Sequence, residues 1–410
     1  MARDIIIIGG GLVGLASAVT LARNGARVTV IDGDTGRQAA SWNNAGHIAV
    51  EQVAPLASPA AIRSAWHRRF SAGGALDLPA GMARHWLPFV PRYLAASTPA
   101  NFRRGTVALD SLMALAMPAW RRLTAAIDAP HLLREDGHLI AWEQPDTVAR
   151  GTVAWGEANI GSATIADASP ADRTSLAGIA ATPVAGAIRF AGSGQITDLA
   201  ALGDALEAAL IAADGRIVRD RVDITVTNGR ASVAGHHAPL LLIAAGIGSA
   251  PLAVAAGLRA PLIAERGYHI RARADRWPAD LPPVVFEDRS MIVTRYADSV
   301  QASSFVEFGD PDTPPDPRKW ERLESHVAAL GLAMTGPFTR WMGARPTLPD
   351  YLPAIGRSTH APNLLYAFGH QHLGLTLAAA TGELVAALAD ERPLPIDITP
   401  FSLDRFGATA

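Results

Sequence analysis

The chain has 410 residues, a formal net charge of −2, 18% charged and 49% hydrophobic residues, and no cysteine. This length and composition predict a globular protein of two or three domains and exclude a largely disordered chain. The near-neutral charge provides no long-range attraction to nucleic acid or to an anionic membrane, and the lack of cysteine excludes disulfides, iron–sulfur clusters and thiolate zinc sites.

The first predicted elements form a βαβ unit. Residues 4–8 are apolar and predict a buried strand, residues 12–24 predict a helix, and residues 26–31 predict a second strand. Asn24 and Gly25 supply the end of the helix, because glycine adopts the left-handed conformation at little cost. A signal peptide or membrane helix would also be apolar, but four glycines interrupt this stretch and favour the βαβ unit.

The pattern is mainly helical from residue 55 to residue 166 and then alternates between strands and helices. Thr197 and Asp198 predict the N-cap of one of these helices. In chain order, the predicted elements after the βαβ unit are strand 137–142, helix 198–213, strands 216–220, 240–245, 268–273, 291–296 and 301–308, helix 319–330, strand 364–369 and helix 373–390.

A dinucleotide-binding fingerprint lies in the first turn of the βαβ unit. Gly9, Gly11 and Gly14 fit the pattern GxGxxG between a strand and a helix, and Asp32 stands at the end of the next strand. The glycines permit a tight turn and close approach of the backbone, the helix N-terminus attracts a pyrophosphate, and the acid accepts hydrogen bonds from ribose hydroxyls. By itself the fingerprint fits either FAD or NAD.

Four later segments resemble those of the D-amino-acid oxidase and dehydrogenase family, which includes glycine oxidase and sarcosine oxidase. They are Ser-Trp-Asn-Asn-Ala-Gly-His-Ile at residues 41–48, Ala-Gly-Ile-Gly-Ser at 245–249, Gly-Ala-Arg-Pro-Thr-Leu-Pro-Asp-Tyr-Leu-Pro-Ala-Ile-Gly at 343–356, and Gly-His-Gln-His-Leu-Gly-Leu-Thr at 369–376. They occur in the family's order and span nearly the whole chain. Residues 44–58 and 369–376 are most similar to bacterial D-hydroxyproline dehydrogenases, also called cis-4-hydroxy-D-proline oxidases.

The resemblance implies an α/β fold. An FAD-binding Rossmann-like domain of the glutathione-reductase type is expected to interleave with a mixed α+β substrate domain. The FAD-binding parts are expected at residues 1–54, 191–262 and 341–410, a helical substrate part at 55–190, and an antiparallel substrate sheet at 263–340.

The resemblance also implies non-covalently bound FAD. The residues expected at the cofactor, from the fingerprint and the family segments together, are Gly9, Gly11, Leu12, Val13, Gly14, Asp32, Ser41, Asn44, Ala45, Gly46, His47, Ile48, Val222, Ala245, Gly246, Gly343, Arg345, Gly369, His370, Gln371, His372, Leu373, Gly374 and Thr376.

The resemblance assigns Arg345 to the substrate carboxylate, since a guanidinium can pair with a carboxylate through two parallel hydrogen bonds. The alternative is a structural arginine that bridges the two domains. Tyr268 is expected as a second carboxylate ligand, with a packed strand tyrosine as the alternative. The helix that starts near Gly374 is expected to face the flavin pyrimidine edge with its positive end.

Two histidines are further candidates for catalysis. In relatives the position of His47 lies beside the isoalloxazine ring, and that of His372 often carries glycine. His372 could hydrogen-bond a ring hydroxyl of the substrate or help proton transfer, or it could, with His370, only support the loop. No third ligand accompanies this pair, so no metal site is predicted. Glu51 and Glu307 are weaker candidates for the pocket.

The resulting hypothesis is oxidation of a small amino acid, such as cis-4-hydroxy-D-proline or D-proline, to its imine by hydride transfer to flavin N5. The alternatives are a glycine- or sarcosine-type amine oxidase and a non-catalytic flavin-binding protein. The electron acceptor stays open among oxygen, a quinone and a partner protein, and so does the oligomeric state. A cytoplasmic location is expected, and peripheral contact with a membrane is compatible with the sequence.

Overall fold

The computed structural model describes residues 3–407. In chain order its strands are β1 Asp4–Ile8, β2 Arg27–Ile31, β3 His47–Ile48, β4 Leu76–Asp77, β5 Leu133–Arg134, β6 His138–Trp142, β7 Thr164–Asp167, β8 Gly186–Ala191, β9 Gly194–Ile196, β10 Arg216–Val218, β11 Ile224–Thr227, β12 Arg230–Val233, β13 Leu240–Ile243, β14 Ile263–Arg273, β15 Val284–Phe286, β16 Met291–Arg295, β17 Ser299–Gly309, β18 Thr339–Thr347, β19 Ala354–Arg357 and β20 Leu364–Phe368. Its α-helices are α1 Leu12–Arg23, α2 Pro59–Ser64, α3 Ala83–Trp86, α4 Val90–Ala96, α5 Pro99–Met113, α6 Ala116–Ala126, α7 Pro145–Glu157, α8 Pro170–Ile179, α9 Leu199–Ala212, α10 Ser249–Ala255, α11 Pro317–Leu330 and α12 Gly374–Ala389.

The first sheet has six strands in the order β10-β2-β1-β13-β20-β19. All neighbours are parallel except β19, which runs antiparallel to β20. Alternate isoleucines of β1 point to opposite faces: Ile5 and Ile7 pack with α1, α9 and α12, while Ile6 and Ile8 pack with α10 and the β11–β12 hairpin. Because both faces are covered, β1 is an uninterrupted apolar run.

The second sheet has nine strands, with β18-β14-β17-β16-β15-β6-β8-β7 in order and β4 paired to β17. Its longest strands, β14 and β17, have 11 residues each and are antiparallel. A small third sheet, β3-β9-β5, pairs the segment after Asn44 with β9 and, through it, with β5. The α/β fold class expected from the sequence is confirmed.

The domain boundary expected after residue 340 needs correction. It falls inside β18, which pairs with β14 along its whole length from Thr339 to Thr347. Arg345 is therefore held by the second sheet, not by the first. The family segment that begins at Gly343 contains glycine and proline, which are rare in strands, so residue propensities do not predict β18.

Most predicted elements agree with the structure to within a few residues. Asp198 caps α9 by accepting the N–H of Ala201 at 2.9 Å, and Gly25 has a φ of 87° just after α1, as expected. The β11–β12 hairpin and the short strands β4 and β5 were not predicted, because short or half-exposed strands carry little periodic signal.

The chain from Gln371 to Ala389 is long and apolar enough to cross a membrane. However, 78% of its most apolar window is buried inside the protein, where α12 packs along α1. Its composition is accounted for by a central helix of the core.

A buried ion cluster ties α11 to the second sheet. The Lys319 ammonium is fully buried, lies 2.7 Å from Asp77 Oδ2 and 3.2 Å from Asp316 Oδ2, and also pairs with Glu307. Arg266, likewise fully buried, lies with its Nε 3.0 Å from Glu307 Oε1. These mutual pairs explain how Glu307 can be buried, so this candidate for the pocket is structural.

Removal of the buried Lys319 ammonium should make the folded protein less stable. We expect Lys319→Met to lower the free energy of unfolding by about 3–5 kcal/mol, because it removes the buried ammonium that pairs with the buried Glu307 and with the partly buried Asp77 and Asp316. Urea unfolding of the holoprotein measures this. Arg318→Met is the matched control, since the Arg318 side chain is 70% exposed and its pair with Asp316 contributes at most about 1 kcal/mol. A Lys319→Met protein as stable as the control would contradict this interpretation.

Candidate functional site

One continuous cavity of about 2040 Å³ connects the glycine turn of the first sheet with the second sheet. Gly9, Gly11 and Asp32 line one end, and Arg345 and His372 line the other. The other predicted site residues on its wall are Val13, Ser41, Asn44, Ala45, His47, Val222, Ala245, Gly246, Tyr268, Gly343, Gly369, His370, Gln371 and Gly374. Those behind the wall are Leu12, Gly14, Gly46, Ile48, Leu373 and Thr376.

The glycine turn leaves no room for side chains. A Cβ at Gly9, where φ is 112°, would lie 2.4 Å from the Ala244 carbonyl oxygen, and one at Gly14 would lie 1.9 Å from the Gly9 carbonyl oxygen. Val13, in the first turn of α1, lines the cavity, and N–H groups at this end of a helix have no intrahelical acceptor. Such a turn binds a pyrophosphate.

Asp32 follows β2 at the same end of the cavity. Burial raises the pKa of its carboxyl, which the hydrogen bond from the Asp34 N–H and the nearby Arg219 oppose. Oδ2 lies 3.3 Å from Arg219 Nη1, so the carboxylate is held beside the glycine turn at the place where a ribose acceptor is needed.

The segment from Ser41 to Gly46 is held by its own polar groups. Ser41 Oγ accepts the N–H of Leu12 at 3.1 Å, and Asn44 Oδ1 accepts the N–H of Gly46 at 2.7 Å. The Asn44 carbonyl accepts hydrogen bonds from the Tyr296 hydroxyl and the Gln301 amide of the second sheet. The predicted polar residues of this segment therefore shape the cavity wall through backbone contacts.

Arg345 reaches the cavity from β18, with 24% of its side chain exposed. Nη1 donates to Glu265 Oε1 at 3.0 Å and to the Phe305 carbonyl oxygen at 3.2 Å. Within residues 3–407, Nη2 and Nε have no hydrogen-bond acceptor and remain available for a ligand. The guanidinium lies over Gly267, where a Cβ would be 2.1 Å from Nη2.

Glu265 was not predicted, although it anchors the guanidinium. It is directly opposite Arg345 in the β14–β18 register and 1% exposed, and Oε2 accepts hydrogen bonds from Thr347 and Tyr351. The two residues are 80 positions apart, so only the strand pairing brings them together. No local sequence pattern carries that signal.

Three residues near Arg345 and its anchor Glu265, together here called the clamp, have left-handed backbones that L side chains rarely adopt. Phe305 has φ 72°, Tyr351 φ 56° and Gln371 φ 48°. The β14–β17 register shifts opposite Phe305, and its turned carbonyl meets Arg345. Gln371 Nε2 donates to the Tyr351 carbonyl at 2.6 Å, which couples the loop before α12 to the clamp. Strained backbones of this kind concentrate at functional sites.

The prediction that Tyr268 binds the substrate carboxylate needs correction. Its hydroxyl donates to Glu307 Oε1 at 2.9 Å and accepts the N–H of Asp316 at 3.1 Å. The ring is 1% exposed and packs in the core of the second sheet. Tyr268 therefore belongs to the buried ion cluster, which matches the alternative of a packed strand tyrosine.

His372 and Gln52 form a polar pair on the cavity wall. His372 Nε2 lies 2.6 Å from Gln52 Oε1, which favours the tautomer with the proton on Nε2. Burial lowers the pKa of His372 to about 4, so the ring is neutral at physiological pH. Gln52 was not predicted as a site residue, because nothing in the sequence links it to a position 320 residues away.

His47, Glu51 and His138 form a second polar cluster on the wall. Glu51 Oε1 lies 3.5 Å from His47 Nε2 and 4.0 Å from His138 Nε2, and the two rings meet edge to face. Burial alone would raise the pKa of Glu51, but the adjoining His47 ring outweighs it and the pKa is lowered. His47 Nδ1 lies 3.2 Å from the Gly194 carbonyl oxygen, so β9 orients the ring. The cluster can keep a negative charge beside the cavity.

The loop before α12 is supported by residues with structural partners. His370 Nε2 lies 3.0 Å from Thr381 Oγ1, and burial lowers the pKa of His370 to about 3. Thr376 Oγ1 accepts the N–H of Ala49 at 3.0 Å. Gly374, at the start of α12, lines the cavity, so the positive end of this helix faces it.

A model of the family described as FAD dependent oxidoreductase matches residues 4–388. The chain belongs to this DAO family. It is 29% identical to a D-amino-acid oxidase of Bradyrhizobium diazoefficiens, over 98% of this chain and 99% of that protein. It is also 29% identical to a D-amino acid dehydrogenase of Paramagnetospirillum magneticum, over 98% of both chains. The crystal structure of glycine oxidase from Geobacillus kaustophilus matches with a TM-score of 0.69 and 22% identity, covering 98% of this chain and 99% of that one.

As a DAO-family oxidoreductase, the protein uses FAD, and the cavity fits this cofactor. The glycine turn admits no Cβ, Asp32 stands beside it, and the cavity continues without a break to Gly374. The turn would hold the pyrophosphate, Asp32 the ribose, and the start of α12 the far end of the cofactor. Described residues from three separate parts of the chain thus form one FAD site.

The clamp gives a direct prediction for this oxidoreductase. We expect Arg345→Ala to raise KM for a carboxylate substrate by about 30- to 1000-fold, since a charged bidentate contact contributes about 2–4 kcal/mol. The FAD content should not change. Because Arg345→Ala also leaves the buried Glu265 without its partner, Arg345→Ala/Glu265→Gln is the stability-matched variant. Steady-state kinetics that show a wild-type KM in both variants would refute the clamp.

Proposed function

We propose that this protein oxidises a small D-amino acid, such as cis-4-hydroxy-D-proline or D-proline, at its C–N bond to give the imine. The observation that carries the proposal is the anchored Arg345, whose free Nη2 and Nε can hold a carboxylate at the far end of an FAD cavity. The names of both curated relatives describe enzymes that oxidise D-amino acids, which supports the same class of substrate.

Bound FAD supplies the hydride acceptor, and the residues of the chain orient the substrate. Arg345 fixes the carboxylate through two parallel hydrogen bonds, which also limits rotation of the α-carbon. The neutral His372 and Gln52 line the same cavity and offer a polar contact for a ring hydroxyl. The substrate nitrogen must be neutral before hydride can leave, and no strong base is required for that step.

The pair formed by His372 and Gln52 favours a substrate whose ring carries a hydroxyl. With its proton on Nε2 held by Gln52, the His372 ring presents an unprotonated Nδ1, which accepts a hydrogen bond from a hydroxyl. An apolar side chain at this position would favour the substrate without a hydroxyl. His372→Leu therefore separates recognition of the ring hydroxyl from recognition of the carboxylate.

The proposal is tested by anaerobic mixing of the purified holoprotein with an amino-acid panel while the absorbance of oxidised flavin is followed. The panel contains D-proline, cis-4-hydroxy-D-proline, their L-forms, D-alanine, glycine and sarcosine. We expect fastest bleaching with the D-configured cyclic amino acids, and a preference for the hydroxylated one that His372→Leu removes. Turnover of glycine or sarcosine without D-proline would overturn the substrate proposal, and absence of bleaching with every compound would overturn amino-acid oxidation itself.

A further inference from the structure

Exposed apolar side chains are concentrated in residues 56–107, here called the arginine segment. In residues 3–407, ten large hydrophobic side chains are at least 37% exposed, and seven of them belong to this segment. On most protein surfaces exposed apolar side chains occur singly, whereas a cluster of them indicates a binding surface. The seven are Leu56 40%, Ile62 37%, Trp66 67%, Leu78 40%, Leu87 54%, Leu94 46% and Val107 73%.

The same segment is strongly basic. Seven arginines and one aspartate give it a formal charge of +6, whereas the whole chain carries −2. The aspartate, Asp77, is already paired with Lys319. Among the described residues, no carboxylate lies within ion-pair distance of these arginines, which are Arg63, Arg68, Arg69, Arg84, Arg92, Arg103 and Arg104.

The arginine segment also surrounds the mouth of the cofactor cavity. Leu56, Ile62, Leu78 and Leu94 line the cavity although each is at least 37% exposed, so the cavity opens between them. Arg68 lies on the same wall. The opening is therefore lined by four exposed apolar side chains and one arginine of the segment.

We propose that the arginine segment docks the cavity mouth on an anionic phospholipid bilayer. Its helices α2, α3 and α4 have only 6, 4 and 7 residues, and α5, which begins within it, has 15, so they can lie in the interface but are too short to cross it. Exposed leucines and Trp66 enter the acyl boundary, and the unpaired arginines meet lipid phosphates. Arg69 stacks on Trp66 at 3.2 Å, which keeps charge and aromatic ring together at one depth.

Charge complementarity and the apolar rim together favour a bilayer over an acidic protein. A stable protein interface buries a contiguous core in which charged residues are depleted. Here each short helix has an arginine and an exposed apolar residue within it or directly after it, as at Ile62 with Arg63, which is the pattern of interfacial helices.

Co-sedimentation of the holoprotein with vesicles tests the proposal. Vesicles of phosphatidylcholine alone are compared with vesicles that contain phosphatidylglycerol as well, at low and at high salt. We expect binding to the anionic vesicles only, weakened by salt. Arg63→Gln/Arg84→Gln/Arg103→Gln should weaken partitioning about 100-fold, because each arginine near an anionic surface contributes roughly 5-fold.

Apolar contacts are tested separately by Trp66→Ser/Leu87→Ser, which should reduce the binding that persists at high salt. Matched controls carry the same number of changes elsewhere: Arg150→Gln/Arg230→Gln/Arg276→Gln and Val153→Ser/Ile211→Ser replace exposed residues that lie outside the segment. Retained flavin absorbance shows that each variant is folded. Wild-type protein that stays in the supernatant with anionic vesicles, or controls that lose binding as much as the segment variants, would overturn the proposal.

Discussion

Gly14→Ala is expected to yield a colourless apoprotein without oxidase or dehydrogenase activity. The added Cβ would lie 1.9 Å from the Gly9 carbonyl oxygen, and no flexible side chain is present there to move away. Helix α1 must then withdraw from β1, which opens the turn that holds the pyrophosphate. The flavin absorbance of the purified protein and its activity after addition of free FAD measure the effect.

A glycine in open space is the matched control for this change. A Cβ added at Gly156, in α7, would meet no described residue outside its own helix within 4 Å, so Gly156→Ala should retain FAD and gain about 0.5–1 kcal/mol of stability. If Gly14→Ala purified with a full complement of FAD, the turn would not be as tightly closed as its geometry indicates.

Lowering the pH from 7 to 5 is expected to destabilise the protein by on the order of 10 kcal/mol, which is comparable to the whole stability of a typical domain. Five histidines have a pKa that burial lowers well below 6.5. They are His138, His269 and His370 at about 3, and His326 and His372 at about 4.

The sign follows from proton binding. Between pH 4 and pH 6.5 these five histidines bind protons in the unfolded chain but stay unprotonated in the folded state. The free energy of unfolding therefore falls as pH falls. Each ring lowers the free energy of unfolding by about 1.4 kcal/mol for each pH unit below 6.5, and has no effect on it above about pH 7. Thermal unfolding of the holoprotein from pH 8 to pH 5 should show a flat region followed by a steep loss.

A variant of one histidine tests how steeply the free energy of unfolding depends on pH. His326 is half-buried beside Arg289, so His326→Gln should reduce the pH dependence by about one proton, whereas the exposed His237→Gln should leave it unchanged. A melting temperature that stays constant from pH 7 to pH 5 would show that these rings accept protons without loss of structure.

The sequence was sufficient for the cofactor half of the site and insufficient for the substrate half. Gly9, Gly14 and Asp32 lie within one βαβ unit, where local spacing determines the geometry. Glu265, the carboxylate that anchors Arg345, lies on another strand 80 positions away, so no local sequence pattern predicts the contact. The prediction for Tyr268 was wrong because the family resemblance places its strand at the pocket, and neither that resemblance nor strand periodicity indicates which partner the hydroxyl meets.

The backbones of Phe305, Tyr351 and Gln371 bear on how this protein can evolve. Each left-handed conformation costs roughly 1–3 kcal/mol, yet all three side chains are at most 5% exposed. Exchange of Phe305 or Tyr351 for glycine would relieve the backbone and leave a cavity that costs about 3–5 kcal/mol, so selection for stability retains the strained residue. A lineage released from its substrate should therefore keep Phe305 and Tyr351 for as long as it keeps the fold.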